Sequence, residues 1–162
     1  MSAGAVLGAG GYAIAAALAS VAYAVLRGAP RRTLWVSAVA GAAAWAASAP
    51  VVHLGQTVPV FLGGAAVSAV AEIGAVRQKV PVLTILAPGI IPLTPGLLAY
   101  HSILGLATGN YAQAVKDGVL TLFWAGSLAV GVAAVGLVAR GIRQRRGTDA
   151  QPAVAGADAD VR

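Results

Sequence analysis

Four apolar runs dominate the chain. Residues 4–26, 34–52, 58–76 and 119–139 hold a single charged side chain among them, Glu72. A helix needs about 20 mostly apolar residues to cross the hydrocarbon, because lipid offers its backbone no hydrogen-bond partner. Each run meets or nearly meets that length. A soluble domain carries roughly 25% charged and 45–50% apolar residues, against 10% and 59% here. A soluble fold is therefore excluded, as is disorder over most of the chain. A fifth run, residues 80–106, is as apolar but contains Pro81, Pro88, Pro92 and Pro95, with Gly89 and Gly96 beside them. Proline lacks the N–H and crowds the preceding turn, so this run cannot form one straight helix. It reads as two short helical pieces joined by an unwound stretch around residues 88–96.

Charge placement decides whether that broken run crosses. Arg27, Arg31 and Arg32 follow the first run, Arg77 and Lys79 the third, and Arg140, Arg143, Arg145 and Arg146 the last. The other connections hold His53 and Gln56, or the neutralised pair Lys116 and Asp117. Five crossings put every basic cluster on one face, which the positive-inside rule makes cytoplasmic; a re-entrant fifth segment would leave the last cluster outside. The expected topology is an all-α, polytopic transmembrane bundle of five segments in the cell membrane, N-terminus outside and C-terminus inside. Residues 1–146 form the membrane domain, and residues 147–162, without periodic apolar positions, a disordered cytoplasmic tail. The first run has no Lys or Arg before it and is too long for a signal-peptide core, so it reads as a span. The net charge of +6 sits in short clusters between the apolar runs, and the four terminal arginines read as a topology anchor attracted to anionic lipid. No aromatic platform accompanies the arginines, so nucleic acid is not a partner.

Helices in lipid associate through small residues that let backbones approach. Candidate contact stripes are Gly4, Gly8, Gly11 and Ala15; Ser37, Gly41, Ala44 and Ser48; Ala125, Ala129, Ala133 and Gly136. On the third run Gly64, Ser68 and Glu72 recur every four residues and share a face. Glu72 admits two readings. It is a functional carboxylate facing a cavity or partner, or an interfacial one at headgroup level.

Several motifs fall away on context. Residues 8–13, GAGGYA, fit a loose dinucleotide fingerprint but lack a preceding strand and an acidic residue about 20 positions on. His53 and His101 have no acidic companion near them, so no metal site is expected. Neither a nucleophile elbow nor a P-loop is present, and without cysteine there is no thiol chemistry. The chain does not read as an enzyme, and no cofactor is implied.

The broken run is the most specific feature. Unwinding frees backbone N–H and C=O groups at membrane depth, and transporters use such breaks to grip solutes. Thr94, just before Pro95, offers a hydroxyl that would cap the second piece. The alternative is a kinked but inert helix, since prolines are common in membrane spans.

At Pro92-x-x-Pro95-Gly96-x-x-x-Tyr100, followed by Ser102 and preceded by Lys79-Val80-Pro81, the sequence resembles the threonine/serine exporter family, specifically its C-terminal membrane half. Order and spacing of spans and basic loops agree over roughly residues 5–146. The resemblance implies an integral membrane exporter of small polar metabolites that works without a cofactor. Some members join two halves in one chain and others split them, and a split pair is associated with export of a dicarboxylate such as succinate. It thus implies a separate protein carrying the N-terminal half, an oligomeric assembly, and threonine or serine as cargo, with a dicarboxylate as the alternative.

The expected site follows. Pro88, Gly89, Pro92, Pro95 and Gly96 hold the break open, Thr84 and Thr94 offer hydroxyls to the solute, and Tyr100 gates or stacks at the outer end. Glu72 and His101 are the candidate carriers of a coupling proton, although His101 also reads simply as a cavity-mouth residue. Three rivals remain. A non-transporting scaffold would need the small stripes but not the break. A channel would need polar residues on several helices, and an enzyme an acid, a base and a nucleophile together.

Overall fold

The computed structural model describes residues 3–55 and 57–150, with side chains described within residues 10–142. Among these every regular element is helical: α1 (Ala3–Leu26), α2 (Arg31–Ser48), α3 (Thr57–Gln78), α4 (Leu83–Ile90), α5 (Gly96–Ala107) and α6 (Tyr111–Ala150). A 3₁₀ turn, Ala49–Leu54, extends α2, and another, Ile91–Leu93, extends α4. α6 continues through Ala150, four residues into the segment expected as a tail; residues 151–162 of that segment lie outside the described residues.

Three connections end their helices by one device. A residue in the left-handed region lets the following N–H reach back five residues to a carbonyl that the helix leaves orphaned. Gly28 (φ 69°) does this after α1, with Ala29 N–H donating to the Ala24 carbonyl at 2.9 Å. Gly109 (φ 80°) does it after α5, with Asn110 N–H donating to the Gly105 carbonyl at 2.8 Å. Lys79 (φ 52°) takes the same role after α3, and Pro81 then bars continuation.

α2 and α3 form an antiparallel centre. Val36 packs on Gly74 at one end, and the Ala44 carbonyl lies over Gly63 at the other. α1 lies on α2, α6 on α3, and α4 in the groove between α1, α2 and α3. The core is made of small and branched side chains: Val36, Ala40, Ala44, Val67, Ala71 and Ile85. Alanine and glycine bring the helix axes close, so contact comes from dispersion rather than from a hydrophobic drive that lipid does not supply. Buried hydroxyls are satisfied by helix carbonyls: Ser20 donates to Ala16, Ser37 to Thr33, and Ser68 across the interface to Val132 at 3.1 Å.

Along α2 the expected stripe is the real one, because Ser37, Gly41, Ala44 and Ser48 are all buried. Gly64 and Ser68 are buried too, with Glu72 half-buried below them. Two stripes are corrected. On α6, Ala125, Ala129 and Ala133 are exposed and Gly136 meets nothing, while Leu128 and Gly131 carry the contact with α3. On α1, Gly11 and Ala15 are exposed and Ala16, Ser20 and Ala24 are buried; Gly4 and Gly8 of that stripe lie outside the residues with described side chains. The physical reason is common to both. A helix with small residues on every face has no preferred side, so a Gly matching a neighbour's backbone or a Ser reaching a carbonyl sets the register instead.

Among the described residues three helical stretches are long and apolar enough to cross a membrane, Arg31–Leu54, Thr57–Gln78 and Tyr111–Ile142, and the α4–α5 pair adds a fourth when counted as one span bent by 56°. In α1 the apolar part with described side chains, Gly10–Leu26, is shorter than a full span. The segment from α4 to α5 does not double back. α4 runs antiparallel to α3, with Ile85 beside Gly74, Val67 beside Gly89 and Leu93 beside Gly63. α5 then continues beyond the start of α3, packed on α6. The basic groups gather at the opposite end. Arg27 and Thr84 line one groove, and Arg77 and Trp35 another. α6 runs parallel to α3, as Ser68 bonded to Val132 and Ser127 bonded to the Thr57 carbonyl require. Arg140 therefore falls level with the end of α3 that bears Arg77.

Candidate functional site

The break is narrower than the proline spacing suggested. Pro88 sits inside α4 and is buried. Its missing N–H would have met the Thr84 carbonyl in the helix's first turn, so only one bond is forfeited. Gly89 is buried in α4 as well, and a Cβ there would lie 2.6 Å from Val67 Cγ1 and 2.9 Å from Ala40 Cβ. Pro88 and Gly89 thus make a helix crossing and do not hold an unwound stretch. Pro92 occupies the first turn of the 3₁₀ segment, where proline costs nothing. The backbone leaves helical space only at Thr94 (φ −69°, ψ 134°) and Pro95 (φ −80°, ψ 44°). The cause is local: the Pro95 ring excludes the helical conformation for the residue before it.

Thr94 caps the first piece and not the second. Its Oγ1 donates to the Ile91 carbonyl at 2.6 Å, and its N–H donates to the same oxygen at 3.2 Å. α5 begins at Gly96 without any side-chain cap. Gly96 is exposed with open space around its Cα, so no close approach demands glycine there. Tyr100 and His101 follow one turn later, both exposed, in an edge-on ring contact at 5.7 Å.

Pro92, Thr94, Pro95, Gly96, Tyr100 and His101 are therefore brought to one end of the bundle. Thr84 and Glu72 are not. Thr84 lines a groove of 220 Å³ with Arg27, Pro30 and Pro88 at the basic end, about 15 Å along the segment from Thr94 at 1.5 Å per residue. Glu72 is half-buried on α3, in the half of that helix that runs on toward Arg77. It does not share a site with His101.

A cavity of 390 Å³ opens beside the break, lined by Pro92 and Leu93, by Trp45, Ser48 and Gly55 from the end of α2 and its loop, by Pro59 and Val60 of α3 and by Trp124 of α6. Its size is that of pockets for small solutes, and its wall is mostly apolar. The sequence reading missed Trp45, Ser48 and Trp124 because the helix registers that converge on the break are not encoded in any one segment.

Asp117 is the other correction. The sequence pairs it with Lys116 as a neutralised loop pair, but α6 begins at Tyr111 and contains both. Adjacent helical residues point about 100° apart, so Lys116 is exposed while Asp117 is 7% exposed and accepts from Gln113 Nε2 at 2.9 Å.

Against this geometry, the model of the family described as Threonine/Serine exporter, ThrE, matches residues 12–138. The chain belongs to the threonine/serine exporter family. Comparison with curated proteins and with solved structures gave no match. The match covers α2 to α5 and most of α1 and α6, including the whole broken segment. This exporter-family protein is a multi-pass membrane protein embedded in lipid, and its family carries out transport rather than enzymatic catalysis.

Proposed function

We propose that the chain is one subunit of an exporter that moves threonine or serine out of the cell, working with a separate protein that supplies the family's N-terminal half. The observation that carries this reading is the break at Thr94 and Pro95 opening beside a cavity of solute size within an exporter-family membrane fold. A backbone break at membrane depth is tolerated only where protein or a polar ligand satisfies it, and here α5 starts without a side-chain cap at the bundle's non-basic end. Pro92, Thr94, Pro95 and Gly96 form the solute-facing break, with Tyr100 at its mouth. His101 is the coupling-proton candidate near it, whereas Glu72 would act at the cytoplasmic end. Thr84 meets solute only at that inner end. A dicarboxylate is the alternative cargo.

The test is co-expression with the protein carrying the other half, followed by loading cells and measuring loss of threonine, serine and succinate. Threonine and serine efflux above the level of either subunit alone supports the proposal. Succinate efflux alone would reassign the cargo, and no efflux of any of the three would leave the scaffold reading in its place.

The proposed orientation, N-terminus outside and basic ends in the cytoplasm of the cell membrane, is testable because the chain has no native cysteine. A membrane-impermeant maleimide added to intact cells should label His53→Cys and spare Lys79→Cys until the membrane is permeabilised. The reverse pattern would invert the topology.

A further inference from the structure

α2 and α3 meet closely near the basic end, because Gly74 leaves room for Val36. A groove of 190 Å³ runs beside that contact, with Trp35 and Val39 of α2 and Val70, Ile73, Arg77 and Gln78 of α3 in its walls. The described helices leave those walls open, since Trp35, Val39 and Ile73 are 59%, 47% and 55% exposed. The groove shares no residue with the cavity beside the break, which lies toward the other end of the bundle.

The walls change character along their length. The Val36–Gly74 contact sets the antiparallel register, placing Arg32 level with Gln78 and Val39 level with Ala71. On α2, Arg32, Trp35 and Val39 fall on one face at helical spacing, and on α3 Arg77, Ile73 and Val70 do the same in the opposite chain direction. Each stripe therefore runs from a valine to an arginine over about 10 Å, at 1.5 Å per residue, and both arginines stand at the same end. The lining holds no acidic side chain. Glu72 shares the face of Gly64 and Ser68, which meets α6 instead. Arg77 forms no ion pair among the described residues.

A phospholipid has the same order of chemistry at the same depth, a charged phosphate at the membrane surface and an acyl chain beneath it. Arginine meets phosphate oxygens with a planar fork of donors. Tryptophan favours the boundary between headgroups and chains, and basic pockets between membrane helices hold acidic headgroups. We propose that this groove binds an anionic phospholipid. Arg77 and Arg32 hold the headgroup phosphate, Trp35 lies at the level of the glycerol, and Val39, Val70 and Ile73 pack on the upper acyl chain. The site goes beyond the exporter reading and stands whatever the cargo, since it needs only that the chain resides in a membrane.

The full-length protein, reconstituted in phosphatidylcholine vesicles, tests this through its own tryptophan fluorescence. Phosphatidylglycerol brominated near the top of its chains quenches an indole that it touches, and Trp45 and Trp124 stand toward the other end of the bundle. Its half-quenching fraction should be about tenfold lower than that of phosphatidylcholine brominated alike, the weight of one hydrogen bond to a charged group. Trp35→Phe should remove the quenching that carries this preference. Arg77→Gln should erase the preference, whereas Arg140→Gln, which removes an equal charge outside the groove, should keep it. Equal quenching by the two lipids in the wild-type protein overturns the proposal whether or not the variants fold. A preference that survives Trp35→Phe places the lipid elsewhere and overturns it too. So does an equal loss in Arg77→Gln and Arg140→Gln, which would mean diffuse attraction, and so does relief of quenching by inorganic phosphate, which would mean a bare phosphate site.

Discussion

Replacing Pro95 by alanine together with Gly96→Ala is expected to reduce export to background while leaving insertion into the membrane intact. The argument begins at Thr94, whose extended backbone (ψ 134°) is imposed by the ring that follows it. Alanine at 95 removes that exclusion and restores an N–H able to reach the Ile91 carbonyl, now occupied by both donors of Thr94. Proline is about 3 kcal/mol and glycine about 1 kcal/mol less favourable than alanine in a helix interior, so the double change favours a continuous helix. Closing a 56° bend over the 12 residues of α5 would swing its far end by about 15 Å, on a rise of 1.5 Å per residue. That breaks the α5–α6 contact at Ser102 and Gly105 and removes the open backbone beside the cavity. The single changes separate cause from bystander. Pro95→Ala should carry most of the loss, and Gly96→Ala should be close to silent because nothing crowds that position. Efflux measured at equal membrane abundance checks all three, and wild-type efflux from the double variant would end the case for the break.

What was readable in advance follows from what each signal depends on. Membrane residence, the helical class and the clustering of basic loops depend on composition along one stretch at a time, and all were legible. So was the existence of a break, because Pro95 acts on Thr94 through its own covalent geometry. Its exact extent was not. Whether Pro88 and Gly89 unwind depends on Val67 and Ala40 lying against them, which belongs to the packing of α2, α3 and α4. The helix faces show the same divide. Ser37, Gly41, Ala44 and Ser48 announced themselves because two serines break the monotony of the alanines on α2. α6 offers alanine in several directions, and its working face was fixed by Gly131 meeting α3. The cavity lay furthest from view, since Trp45, Pro92 and Trp124 come from three distant parts of the chain and meet only after every register is set.

The second large effect is expected at that α3–α6 seam. A Cβ on Gly131 would fall on the Phe61 carbonyl oxygen and lie 3.3 Å from the Ala65 nitrogen. These are backbone atoms within a helix, unable to yield as the tip of a side chain would. Gly131→Val must therefore push α6 outward along its length. The same movement strains the Ser68 bond to the Val132 carbonyl and the Ser127 bond to the Thr57 carbonyl, and lifts Leu128 from Gly64. Overpacking of this kind costs about 1–3 kcal/mol, and interhelical hydrogen bonds in membranes add about 0.6 kcal/mol each. Gly136→Val supplies the control, since it sits on the same helix with nothing near it. Thermal unfolding of the purified proteins in detergent should place Gly131→Val well below wild type and Gly136→Val close to it. Equal stability of the two variants would mean that α6 does not pack on α3 in this register. Because α6 carries α5, and α5 touches little else, a displaced seam also carries the break away from its cavity. Export should therefore fall even in the fraction of Gly131→Val that remains folded, whereas a purely structural seam would lose activity only in proportion to protein lost.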